Sequence, residues 1–375
     1  MTDGPTFVVV AGEPSGDWIA AKVVTALYQK IPDAAFIGIG GDAMRDAGVV
    51  LTEHISRLSA LGPVDSLKSL PRWASAWTEL RQQCRRHLIA AAILVDCPEV
   101  NLRLARALKA DGIPVLQYMG PKIWAWRKDR LGLLRARTDW VALGFAFEKA
   151  LYDAAGVRAS FVGHPLLDAS EAPSRHMVRR KLHAPEGANV VALLPGSRKS
   201  EISYHGEAMI SAGVRLLKDR MVPVFAPYGL SPDDPWCQKA RSLGCLCWHE
   251  PVTHLLPACD AAVAASGTVT LEVALAGVPM VTVYKMNAVN YWLGTKLLHI
   301  PYIGLPNWIA GRLVVPELLQ DHVTPGTLYQ QVHRLVTPSE TRRQKKELAQ
   351  VASQMGTPGV AERVAELVLS LMAKQ

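Results

Sequence analysis

The chain is expected to adopt an α/β fold of two tandem doubly wound domains, each a parallel sheet wrapped by helices. Three observations lead there. Apolar runs of strand length alternate with helix-length amphipathic stretches from the start. The alternation breaks once, in a polar stretch between Asp168 and Asn189, and then begins again. At 375 residues the chain exceeds what one hydrophobic core usually serves.

FVVVAG (7–12) reads as the first strand, SGDWIAAKVVTALYQKI as the helix after it, and AFIGIGG (35–41) as the second strand. AAAILVD (90–96), PVLQYMG (114–120), WVALGF (140–145) and ASFVGH (159–164) continue the series. The polar DASEAPSRHMVRRKLHAPEGAN then places domain boundaries at 1–170, a linker over 171–188, and a second domain over 189–375. In that second half NVVALLPGS (189–197), PVFAPYG (223–229), DAAVAAS (260–266) and PMVTVYK (279–285) repeat the scheme. From about Thr337 the chain reads as surface helices. Two such domains are expected to hold a ligand in the cleft between them, at the C-terminal ends of the strands.

Composition narrows the classes. Hydrophobic residues at 49% and charged residues at 20% exclude a disordered chain. No apolar window approaches the roughly 20 residues of a membrane-spanning helix, and MTDGPTFVVV lacks a signal-peptide layout, so a cytosolic protein is expected. A net charge of +8 attracts phosphate on a nucleic acid, a membrane face or a small substrate. The six cysteines show no zinc-site spacing and are expected to be reduced core thiols, with no metal site. The segment 55–87 sets Leu67, Leu70, Trp73 and Trp77 among basic residues including Arg81. Such a helix either lies in a membrane interface or packs its apolar stripe on the sheet; spacing permits both.

The turns that follow strands carry the candidate chemistry. Gly12-Glu13-Pro14-Ser15-Gly16-Asp17 opens a helix with small residues, allowing a ligand close to backbone amides. Gly38 to Asp42 only loosely resembles a dinucleotide fingerprint and reads as a tight turn. Gly196-Ser197-Arg198 ends the first strand of the second half and delivers a guanidinium suited to a pyrophosphate. Ser266-Gly267-Thr268 repeats the arrangement, with Glu272 one turn along and able to accept from ribose hydroxyls.

Asp96 ends its strand facing the expected cleft, where it either serves as general base or caps the helix beginning near Pro98; Glu99 competes for the basic role. His164 could act as base or donor, or be a buried structural histidine. Trp124 and Trp126 supply aromatic walls or ordinary core packing. Asn307 and Arg312 lie in a loop-rich stretch and could read a base or phosphate.

GEPSGD, DCPEVN, WAWR, FEKALYD, GHPLLD, LLPGSR, ASGTVTLE and LPNWIAGR occur in the order in which lipid-A-disaccharide synthases carry their versions, and the chain resembles that family over nearly its whole length. The resemblance implies the GT-B glycosyltransferase fold. It also implies transfer from UDP-2,3-diacylglucosamine to 2,3-diacylglucosamine 1-phosphate (lipid X) through a β-1,6 linkage, with release of UDP and no cofactor. By motif, Asp96 resembles the family's general base and Arg198 its arginine near the donor diphosphate. Gly196, Ser197, Ser266, Gly267, Thr268, Glu272, Asn307 and Arg312 fall on the UDP side. Gly12, Ser15, Gly16, Asp17, Glu99, Asn101, Trp124, Trp126 and His164 fall on the acceptor side.

Lipid substrates imply peripheral contact with the cytoplasmic face of the inner membrane, through Leu67, Leu70, Trp73, Trp77 and Arg81. No nucleic-acid partner is implied, and a homodimer stays open. The chain departs from the family at Glu99, Val100 and Gly120, which bears on acyl-chain or acceptor preference. Two alternatives stand beside this reading: a UDP-sugar epimerase of the same fold, and a non-enzymatic basic protein that binds membranes or RNA.

Overall fold

A computed structural model describes residues 4–58, 63–121, 123–124, 130–169, 171–287 and 301–373, with the side chains of 63–71 left out. The chain divides into two compact units, Met1–Ala169 with Met355–Gln375, and Ser170–Gln354.

The first unit holds β1 (Thr6–Ala11), β2 (Ala35–Gly40), β3 (Val50–His54), β4 (Ile89–Val95), β5 (Val115–Tyr118), β6 (Trp140–Leu143) and β7 (Ala159–Phe161). They form one sheet in the order β3-β2-β1-β4-β5-β6-β7, and each neighbouring pair is parallel. A strand covered on both faces reads as a near-continuous apolar run, and TFVVVA in β1 is buried throughout. Phe7, Val9 and Ala11 face the layer that contains Val23, Val24 and Leu27 of the helix Pro14–Lys30. Val8 and Val10 face Trp73 and Leu80 of the helix Pro63–Cys84. Strand order reverses between β1 and β4, so the turns that leave these two strands lie side by side. β3 was not expected from the sequence: VLTEH sits at the sheet edge, partly exposed, and lacks an apolar run.

The second unit holds β8 (Val190–Leu194), β9 (Val222–Phe225), β10 (Leu246–Cys247), β11 (Ala261–Ala265), β12 (Met280–Tyr284) and β13 (Glu317–Leu319), in the order β10-β9-β8-β11-β12-β13. The short edge strands β10 and β13 also escape sequence reading. Reversal falls between β8 and β11, which brings the LLPGSR and ASGT turns together.

The expected boundaries need two corrections. The helix Val360–Met372 belongs to the first unit, not to a domain spanning 189–375. Its face of Val360, Val364 and Val368 is buried in the same layer as the helix Pro14–Lys30, and Asp168 accepts from the Gly359, Val360 and Ala361 amides at its N-terminus. The expected linker 171–188 folds within the second unit. Its helix Arg175–Lys181 is fastened by Arg175 and Arg179 to Asp260, whose carboxylate also takes the Val190 amide at 2.9 Å.

Candidate active site

At the end of β4 the backbone turns left-handed twice, at Asp96 (φ 49°) and Cys97 (φ 43°). Neither is glycine, and two consecutive residues in this region mark a turn that its surroundings enforce. The helix Pro98–Ala110 starts immediately after, with Cys97 rather than Asp96 at its N-cap position and no side-chain cap. Gly12 sits against this turn, where a Cβ would lie 2.7 Å from the Cys97 Sγ. A larger residue at position 12 would force the Cys97 side chain to shift. Burial, and then the charges of Glu13, Asp96 and Glu99, push the Cys97 thiol up to about 12. Three carboxylates thus surround the junction of the two turns, and Glu13 among them was missed as a candidate.

Several expected acceptor-side residues have other partners. Asp17 is buried, and its carboxylate takes the Gly41, Ala43 and Met44 amides at 2.6, 3.0 and 3.2 Å, capping the helix Asp42–Asp46. That corrects its assignment to the acceptor. Asn101 is fully buried and donates through Nδ2 to the carbonyls of Val95 (3.0 Å) and Asp96 (2.7 Å), so it holds the turn rather than facing a ligand. Gly16 is buried beside Ala11 and Val95, whereas Ser15 is exposed in the first turn of its helix. Glu99 points outward to an ion pair with the buried Arg130.

Trp124 donates through Nε1 to Glu148 at 2.8 Å and meets Phe147 edge-on, with ring centroids 5.4 Å apart. Tyr152 donates to the Pro121 carbonyl at 3.0 Å. The FEKALYD stretch therefore holds Pro121 and Trp124, a role not legible from its spacing. Trp126 lies outside the described residues. His164 is buried beside Phe145, with Nδ1 accepting from the Leu166 amide at 3.3 Å.

In the second unit Gly196 is left-handed (φ 119°), and the helix Lys199–Lys218 begins three residues later. The Ser197 and Arg198 amides donate to the Glu201 carboxylate at 2.9 and 3.2 Å. An anion already occupies the helix terminus. The Arg198 side chain, 74% exposed, touches Glu201 at 3.4 Å and remains accessible to a second anion.

After β11 the Ser266 hydroxyl donates to the Ile303 carbonyl at 2.8 Å, Gly267 faces open space and Thr268 is exposed. Glu272 lies in the first turn of the helix Val269–Leu275, where burial pushes its carboxyl up to about 7. Asn307 is corrected. Its Nδ2 donates to the Val315 carbonyl and to Glu317, its Oδ1 accepts from the Val314 and Val315 amides, and the residue is fully buried. All four hydrogen-bonding positions are taken, so it shapes the loop instead of reading UDP. Arg312 is directed to Glu347 and Gln350 of the helix Pro338–Gln354.

The expected membrane patch is also revised. Trp73 is 4% exposed in the core layer beneath its helix, Trp77 is partly buried beside it, and Arg81 makes a two-pronged pair with Asp111 at 2.8 Å. For these residues packing on the sheet is the correct reading; the Leu67 and Leu70 side chains lie outside the described residues. All six cysteines are free thiols. No helix among the described residues is long and apolar enough to cross a membrane.

A family model described as lipid-A-disaccharide synthetase matches residues 7–370. The chain is 36% identical to the lipid-A-disaccharide synthase of Syntrophus aciditrophicus over 375 residues, 98% of each chain. Among solved structures it resembles the glycotransferase of kitacinnamycin (TM-score 0.65, 14% identity, 98% and 99% of the two chains). It also resembles the UDP-GlcNAc 2-epimerase of Neisseria meningitidis (TM-score 0.63, 12% identity, 97% and 100%). The structural likenesses establish the GT-B fold of two Rossmann-like units, and a fold shared by transferases and epimerases leaves the chemistry open. Identity above one third along the whole chain decides it: the chain belongs to the lipid-A-disaccharide synthase family of glycosyltransferases.

Proposed function

We propose that the chain joins UDP-2,3-diacylglucosamine to 2,3-diacylglucosamine 1-phosphate by an inverting β-1,6 transfer, with Asp96 as general base and Arg198 at the donor diphosphate. The observation that carries this reading is the enforced left-handed turn that holds Asp96 at the end of β4, at the switch point of its sheet. A sugar hydroxyl is a weak nucleophile, and a positioned carboxylate takes its proton as the bond to the anomeric carbon forms. The C–O bond to UDP breaks on the opposite face, and negative charge grows on the diphosphate. The exposed Arg198 guanidinium supplies a charge-assisted donor for it. Glu272 accepts from the ribose, and the open turn Gly267-Thr268 admits the nucleotide.

Both substrates carry acyl chains, so the enzyme meets them at the cytoplasmic face of a membrane. Leu88, 93% exposed, follows the exposed Arg85 and Arg86 and supports peripheral contact there.

The test supplies both substrates to the purified protein, in vesicles or detergent. Formation of the disaccharide 1-phosphate with stoichiometric UDP is expected, and folded protein that releases no UDP would refute the reading. Asp96→Asn is expected to abolish turnover and keep UDP affinity, whereas Arg198→Ala weakens use of the donor. Loss of UDP affinity in Asp96→Asn contradicts this division of roles.

A further inference from the structure

Gln117 is a polar side chain where the fold calls for an apolar one. It lies within β5, a central parallel strand covered on both faces, and is fully buried. Such strands ordinarily read as unbroken Val, Ile and Leu. The two N–H groups of its Nε2 are shared among three backbone carbonyls, with Asp96 at 3.1 Å, Tyr118 at 3.3 Å and Met119 at 3.5 Å. Its Oε1 is buried without a hydrogen-bond partner among the described residues. A buried amide with one end unsatisfied destabilises the fold, and a local conflict of this kind marks a place selected for something else.

What the amide gathers is the backbone at the ends of two paired strands, β4 and β5, in register at Val95 and Tyr118. Both strands leave the sheet through non-glycine residues in left-handed geometry, Asp96 (φ 49°) on one and Met119 (φ 60°) on the other. The Asp96 carbonyl also takes the Asn101 Nδ2 at 2.7 Å. Two fully buried amides therefore grip one carbonyl, one from the helix that follows the turn and one from the neighbouring strand. The orientation of that carbonyl fixes the peptide plane after Asp96, and with it the direction in which the Asp96 side chain leaves the backbone.

We propose that Gln117 is a positioning residue for Asp96, with Asn101 as its partner, and that the two amides hold the general base in its reactive direction. This rests on the reading of Asp96 as the base. Neither amide need touch substrate; their effect passes through the turn.

The test is Gln117→Met, which keeps the volume and removes the donor. Displacing a reacting group by about 1 Å costs roughly 100-fold, so kcat is expected to fall on the order of 10- to 100-fold while KM for the UDP-sugar stays nearly constant. The same substitution is then placed in Asp96→Glu, which retains a carboxylate and is expected to keep a reduced turnover, read as single-turnover UDP release. Because Gln117 acts through Asp96, little further loss is expected in that background. An equal fold-loss in both backgrounds, or a folded Gln117→Met with the parent kcat, overturns the proposal. Should Gln117→Met not fold, Asn101→Leu runs the same cycle on the same carbonyl and is judged by the same outcomes. If Asp96→Asn keeps full turnover, the reading of Asp96 itself has failed and the proposal falls with it. If Asp96→Asn is inactive and the cycle is additive, only the positioning role fails.

Discussion

The imidazole of His205 joins the ends of two strands to each other: Nδ1 lies 2.9 Å from the Pro195 carbonyl after β8, and Nε2 lies 2.9 Å from the Lys285 amide after β12. The Lys285 N–H can only donate, so Nε2 is bare and Nδ1 carries the proton. Burial holds the ring's pKa below its ordinary 6.5 and keeps it neutral. An unfolded chain binds that proton near pH 6.5 and the folded one does not. The stability His205 contributes is therefore fully present above that value and declines as pH falls toward the lowered one. His205→Leu should cost about 1–3 kcal/mol at pH 8 in urea unfolding, because it leaves a carbonyl and an amide unpaired. The difference from wild type should narrow under acid conditions. Since the Gly196 turn follows Pro195 directly, the donor KM should rise as well.

Glu272 has the opposite sign. Burial raises its carboxyl from 4.5 to about 7, so the folded protein keeps a proton that the unfolded chain has already lost. Stability falls as pH rises between those two values, and the burden of a buried charge is complete above the higher one. Glu272→Gln should stabilise the ligand-free enzyme above neutrality by on the order of 2 kcal/mol and change little below the lower value. Binding reports the other half. In the role proposed for Glu272 at the ribose the ionised carboxylate is the better acceptor, so the donor KM should decrease between about pH 6 and pH 8. In Glu272→Gln that slope should vanish, with KM raised more than kcat is lowered.

Strand-length apolar runs made most of both sheets legible, because central parallel strands are apolar on each face and show as unbroken runs such as FVVVA and AAAILV. The edge strands β3, β10 and β13 were hidden by the converse: half-exposed and short, they carry no such run. Turn motifs marked the candidate positions but misassigned individual side chains. A polar residue in a signature motif looks the same in sequence whether it meets a ligand or the protein's own backbone. Asp17, Asn101 and Asn307 proved to be of the second kind. Residues such as His205, Gln117 and Glu148 were missed because they act on segments distant in the chain, a relation that spacing does not encode.

Asp17 separates structural from ligand roles within GEPSGD. Its carboxylate accepts three amides at the start of the helix Asp42–Asp46, a segment too short to hold its own terminus. Asp17→Ala should lower unfolding free energy by about 2 kcal/mol, in line with losing a well-formed cap. Turnover per folded molecule and acceptor KM should both stay at the parent values. A selective rise in acceptor KM, with thermal stability unchanged, would return Asp17 to the acceptor site.

Asp168 performs the corresponding task for the last helix. The chain reaches the first unit again at Met355, whose carbonyl takes the His164 amide at 2.9 Å, and Asp168 then gathers the Gly359, Val360 and Ala361 amides at 2.8, 3.1 and 2.8 Å. A carboxylate at a helix N-terminus satisfies donors the helix cannot, and opposes the positive end of its dipole. Arg363 adds a bond from Nε to the Val162 carbonyl at 2.8 Å. The cap and this bond fix the helix's entry, and the apolar stripe of Val360, Val364 and Val368 does the rest of the packing. Asp168→Ala should therefore loosen the beginning of the helix before its middle. Hydrogen exchange should quicken at residues 359–361 and at the neighbouring Val162 and His164, while amides near Val368 keep most of their protection. Asp168→Asn, which retains one acceptor, should fall between wild type and Asp168→Ala. Uniform exchange across Val360–Met372 in Asp168→Ala would show instead that the cap governs the docking of the whole helix.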